Sequence, residues 1–239
     1  MSTARIWAIA RKELREYRHD RQIVTTMSVL PLVFSVLPSL QIFALPASSA
    51  GTLAHRQPRV YMLALAAIVP GTVAAYSVAG ERQQGTLEPV LSTPIRAEEF
   101  LLGKAIAALL PSLAISYGVF GVFVAAIEFL AQPGVASAVL HGPEVLAQLL
   151  FTPPVAALSI WIGIAISSRS SDPRVAAQLS TLASIPTVVL TTTIAVGGIH
   201  ATYRLAVLLG VALLVFDGLG WRLVSPLFNR ERLITGTKS

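Results

Sequence analysis

The chain has no cysteine. Disulfides and thiolate metal sites are therefore excluded. Charge is scarce as well: Asp, Glu, Lys and Arg make up 13% of the 239 residues, against roughly 25% in soluble domains. So few charges cannot cover a water-facing surface, which excludes an ordinary soluble globule and points to a chain embedded in lipid. Motifs for chemistry are missing too. Gly103-Lys104 is followed by Ala105 and has Glu98 where a phosphate-binding loop needs its first glycine, so no ATP site of that type is expected in this chain. There is no His-Glu-x-x-His, and no Gly-x-Ser that would present a serine nucleophile. His55, His141 and His200 are scattered and read as loop residues rather than metal ligands. No catalytic, cofactor-binding or metal site is expected.

What the chain has is long apolar runs. Hydrophobic residues make up 54% of it, and the mean hydropathy is +0.70. Six predicted spans, about 23–45, 60–80, 105–127, 146–167, 178–198 and 203–221, are each near the ~20 residues that cross ~30 Å of hydrocarbon. Gly197-Gly198-Ile199-His200 leaves almost no loop between the last two, so a re-entrant or broken arrangement fits there. Before the first span, residues 4–21 form a basic amphipathic segment. Trp7, Ala10, Leu14 and Tyr17 recur at helical spacing, with Arg11, Lys12, Arg15 and Arg18 on other faces. Such a helix is expected to lie in the membrane interface. Ser48-Ser49-Ala50 looks like a signal-peptidase site, but the preceding apolar run exceeds the ~7–15 residues of a signal core and reads as an uncleaved anchor.

Lysine and arginine set the expected orientation. With the N-terminus in the cytoplasm, fifteen of the 18 cations fall inside, and only Arg56, Arg59 and Arg204 fall outside. Both termini and the 81–104 segment are then cytoplasmic, in a multi-pass protein of the cell membrane. The net charge of +6 follows this topology and gives no reason to invoke nucleic acid.

Residues 81–104 hold seven of the thirty formal charges between two apolar spans. Gly85 lets the chain turn sharply. Thr86 is placed to cap a short helix with Pro89 in its first turn and Glu88 favoured by the helix dipole. Pro94 ends that piece at Thr93, and a second piece runs through Glu98 and Glu99 into the third span. A short surface helix tied to two spans can act as a lever. It can equally be a solvated turn that anchors topology.

The pattern Glu81-x-x-x-Gly85-Thr86-Leu87-Glu88, Thr93-Pro94 and Gly103-Lys104 resembles the cytoplasmic coupling loop of ABC-2-type transporter permeases. Many of those proteins have Ser and a basic residue after the Thr-Pro-hydrophobic triplet, where this chain has Arg96-Ala97. The resemblance implies an all-α membrane domain spanning 1–239, with an interfacial helix, six spans and a coupling helix between spans two and three. It implies that Glu81, Gly85, Thr86, Leu87, Glu88, Thr93 and Pro94 contact a separate ATP-binding cassette subunit, where ATP and Mg²⁺ bind. It also implies a second permease copy, identical or different, and export as the direction of transport.

Polar groups inside the spans supply a second candidate site. Asp217 falls within the sixth span, where an acid is costly and often functional, although pairing or snorkelling towards Arg222 also accounts for it. Thr187 and Thr191 belong to a hydroxyl-rich fifth span that serves either helix packing or a polar pathway. A secondary carrier acting without an ATPase is the alternative function. It would need midspan charges and an internal repeat, neither of which stands out. The charge bias makes a direct prediction: cysteines placed singly at Gln57 and Gln84 label from opposite sides of the membrane. Labelling of both from outside would refute the six-span topology.

Overall fold

The computed structural model describes residues 1–19, 21–43, 62–86, 93, 95–131, 142–195 and 202–225. Among them every regular element is helical: α1 (Thr3–His19), α2 (Arg21–Phe43), α3 (Met62–Gln83), α4 (Ala97–Leu130), α5 (Gly142–Arg169), α6 (Pro173–Ala183), α7 (Ile185–Ala195) and α8 (Tyr203–Val224). Five segments are long and apolar enough to cross a membrane: Leu63–Gln83, Glu98–Leu130, Val145–Arg169, Pro173–Ile194 and Tyr203–Val224. They coincide with the second to sixth predicted spans. The first predicted span falls on α2, a continuous helix of 23 residues.

α3 is the central element; 83% of its apolar window is buried, against 6% for α8. Small residues make this possible. Gly71 on α3 and Gly163 on α5 meet so closely that a Cβ on Gly163 would lie 2.4 Å from the Gly71 carbonyl oxygen. Backbones approach in this way where glycine and alanine line a membrane helix contact. One turn further on, Ser167 of α5 donates to the Ala75 carbonyl (2.5 Å) and accepts from Ala79 N–H (2.9 Å). Phe100 and Leu101 of α4 pack with Val73 and Val78 of α3 and Ile164 of α5 in the main core cluster. α8 joins at the periphery through Trp161 and Trp221, edge to face at 5.6 Å, with Gly220 beneath the Trp161 ring.

The prolines inside these helices are accommodated locally. Pro153 cannot donate to the Leu149 carbonyl, and Tyr117 Oη of α4 donates to that oxygen instead (2.9 Å). The fifth predicted span is two helices. α6 opens with Asp172, whose side chain accepts from Arg174 N–H (2.7 Å). The helix breaks at Ser184, and Pro186 follows within the first turn of α7, where its missing N–H is harmless. The span therefore starts at Pro173, five residues earlier than expected.

In the 81–104 segment the helical piece expected through Glu98 and Glu99 is the first turn of α4. α3 continues to Gln83 and α4 begins at Ala97, so the connection shrinks to 84–96. The charges that suggested a loop are those of good helix formers, and their partners lie on neighbouring helices. At 34 residues, α4 is about 51 Å long, well beyond the ~30 Å of hydrocarbon.

The glycine contact makes a prediction. Gly163→Val should lower the thermal unfolding temperature of the detergent-purified protein markedly, because backbone lies in the way. Gly118→Ala, with open space around it, should leave it equal or higher. Equal melting of the two variants would contradict the α3–α5 contact.

Candidate functional site: the charged base of the 84–96 connection

α1 carries a mixed buried stripe: Ile9, Ala10, Glu13 and Tyr17. An acid in that stripe needs a partner, and α4 supplies it. Lys104 is almost completely buried, and its ammonium has three oxygens around it: Ser77 O (2.8 Å), Glu13 Oε1 (3.0 Å) and Glu81 Oε1 (3.2 Å). An ammonium has three donors, so the buried charge is fully satisfied. The Phe100 ring lies 4.9 Å below it. Lys12 reaches Glu81 Oε1 at 2.8 Å from the other side, and also neighbours Glu13 (3.4 Å) and Glu16 (3.3 Å). Burial works against the charge on Lys12, but its hydrogen bond to Glu81 and the charges of Glu13, Glu81 and Glu16 outweigh that and hold its pKa above the usual lysine range. Burial first, and then the same three carboxylates, raise the Tyr17 phenol well above its ordinary range, so it stays neutral.

The two ends of the connection are fastened separately. Arg82 Nη1 and Nη2 donate to Ser170 O (2.8 Å) and Ser168 O (3.1 Å), which closes the carbonyl end of α5. Gly85 has φ +69°. With Thr86 N–H bonded to Glu81 O (3.0 Å) and Gly85 N–H to Arg82 O (3.2 Å), this is a Schellman closure of α3. The Thr86 hydroxyl points back to Glu81 O as well (3.3 Å). Its expected role as a cap for a following helix involves residues outside those described. At the far end, Glu99 Oε2 accepts from Arg96 N–H (3.2 Å) and starts α4, while Glu99 Oε1 accepts from Ser2 N–H (2.7 Å) and Arg5 approaches at 3.6 Å. The carboxylate three residues into the helix does the capping, which explains how Arg96 can stand at that position.

Of the predicted site residues, Glu81 and Gly85 thus act at the end of α3, and Thr86 completes its closure. Thr93 is half-buried. Leu87, Glu88 and Pro94 lie outside the described residues. Glu81 departs from its expected setting: it is the buried hinge of an ion network, not a loop residue. Thr191 donates to the carbonyls of Thr187 and Val188 on its own helix (both 3.0 Å), in line with packing. Asp217 is half-buried, and its Oδ1 has no hydrogen-bond partner among the described residues. Sequence reasoning missed Lys12, Glu13 and Glu99. The available signal was Glu13, three residues after Ala10 and four before Tyr17, an acid in the apolar stripe. Trp7, expected in that stripe, is 44% exposed and lies under Arg11 (5.8 Å to the ring centre).

An α-helical, multi-pass membrane protein with a charged, clamped inter-span connection is the class these features define. The chain belongs to the ABC-2 family transporter proteins, whose family model matches residues 7–225. That match takes in most of α1, the clamped connection and the whole of α8, so the chain is a membrane transport component of the ABC transporter type. A search of curated proteins finds no match.

Removing one partner of a buried ion pair costs about 3–5 kcal/mol, because the other charge is left unpaired. Lys104→Met should therefore destabilise the protein by an amount in that range. Adding Glu13→Gln should recover part of the loss in a double-mutant cycle read by thermal unfolding. Strict additivity of the two would show that Glu13 and Lys104 do not interact.

Proposed function

We propose that this chain is the permease subunit of an ATP-driven exporter in the cell membrane, with six spans, α2 being the first. Two permease copies form the pathway. Separate cassette ATPases bind ATP and Mg²⁺ and push on the 84–96 connection from the cytoplasm, where both termini also lie. α1 rests in the interface, with Trp7 and Arg11 towards the headgroups.

The observation that carries this reading is the double fastening of the connection. Through Glu81, Lys104 and Arg82 its ends are joined to α1, α4 and α5. A displacement of the connection is then delivered to several helices together, because satisfied buried ion pairs and close backbone packing resist independent movement. The family match supplies the ATP-driven context. Export is the direction implied by the resemblance of the Gly85-Thr86-Leu87-Glu88 element.

Glu88 tests it. A carboxylate at this point can face a cationic groove on the ATPase, and a charge-assisted contact is worth roughly 1.5–3 kcal/mol. Glu88→Lys should reach the membrane and fold, yet lose transport through weakened cassette association or uncoupled hydrolysis. Thr86→Val should give a partial defect. Co-purification of the cassette and transport in cells are the measurements, with membrane expression as control. Wild-type transport by Glu88→Lys would remove the coupling role of this segment.

A further inference from the structure

A cleft of about 300 Å³ lies between α5, α7 and α8, with Leu63 of α3 at one end. Thirteen of its fifteen wall residues are apolar, and the other two are Thr187 and Thr191. The Thr191 hydroxyl is spent on carbonyls of its own helix. The cleft exists because α7 and α8, consecutive in the chain, hardly touch; α8 leans on α5 instead. Leu190 and Phe216 in its wall are exposed, so it opens sideways, to what is lipid in a membrane.

Its length matches half a bilayer. α8 runs beside α5 in the same direction, with Gly210 against Phe151 and Gly220 against Trp161. Leu63, Ala147, Ile194 and Leu205 lie near the helix ends farthest from Lys104, and Leu158 and Phe216 mark the other limit of the cleft. From Leu205 to Phe216 the wall rises about 16 Å. The hydrocarbon core is ~30 Å thick, so the cleft has the depth of one leaflet. Water does not settle in a cavity that lacks polar partners. A membrane helix of a second copy would cross the whole bilayer, whereas the cleft stops half-way. One hydrocarbon chain lying along the helices ends where the cleft ends.

Charge marks the mouth. Arg204 stands in the first turn of α8, next to Leu205; it is exposed and has no ion pair among the described residues. Tyr203 beside it is exposed as well. An aromatic and a cation at the end of a span belong at headgroup level, where the anion on offer is a phosphate. An apolar slot one leaflet deep with a free cation at its mouth complements both parts of a phospholipid.

We propose that the cleft binds one acyl chain of a phospholipid whose phosphate pairs with Arg204. Binding needs neither ATP nor a cassette, so the site stands or falls separately from the transport reading.

The test uses the full chain, stripped of lipid in detergent and titrated with dioleoylphosphatidylglycerol under native mass spectrometry. One lipid should bind ahead of all others. Ala212→Phe and Ala206→Phe fill the cleft from α8 and should weaken that first event about tenfold, the factor lost when two methylenes leave contact. Arg204→Gln, exposed and outside the packing, should fold normally and weaken it about threefold, the size of an exposed ion pair. Val211→Phe puts the same ring on the exposed side of α8 and should change nothing, and inorganic phosphate should not compete. An unchanged first event in Arg204→Gln or in a folded cleft-filling variant, equal loss in Val211→Phe, displacement by inorganic phosphate, or no preferred first lipid would each overturn the proposal. So would a wild-type dimer that Ala212→Phe dissociates, which would assign the cleft to a second copy.

Discussion

Lys104 is a cation placed inside a helical bundle, and much of the architecture at this end of the molecule follows from keeping it there. Taking an ammonium out of water costs several kcal/mol, repaid only when its donors are all met. Here they are met from three directions: a backbone carbonyl of α3, a carboxylate of α3 and a carboxylate of α1. The requirement fixes the rotation of α1, whose stripe must turn Glu13 inward. It also fixes the relative height of α3 and α4, because Glu81 and Lys104 lie near opposite ends of one connection. Helices joined through such a point are expected to move as a group.

The same economy governs the backbone. Membrane helices have no water to satisfy a freed carbonyl, and side chains take over that task here. Tyr117 serves the carbonyl released by Pro153, and Arg82 the last carbonyls of α5. These contacts cross between helices, so repairs to local hydrogen bonding double as tertiary links. The membership of the chain in a family of ABC-2 transporter proteins gives them a use. A bundle whose helix ends are tied to one short connection can receive force there.

Because a bilayer imposes a length that a sequence displays directly, the length and apolarity of the runs determined that this is a helical membrane protein and located five of the crossing segments, although the third begins at Glu98 and the fifth at Pro173, earlier than expected. Gly85 was legible as the turning point, since a positive φ is cheap for glycine alone. The partners of the charges at the ends of α3 and α4 were not legible. Glu81, Glu99 and Lys104 look hydrated when read one after another, and only folding reveals that they point at partners 69 to 97 residues away. Glu13 was hidden for the same reason: an acid in an apolar stripe is either an error or half of a pair, and the other half lies in another helix. Periodicity is a local property of the chain, whereas the pairing of buried charges is decided by which helices meet, and at what height.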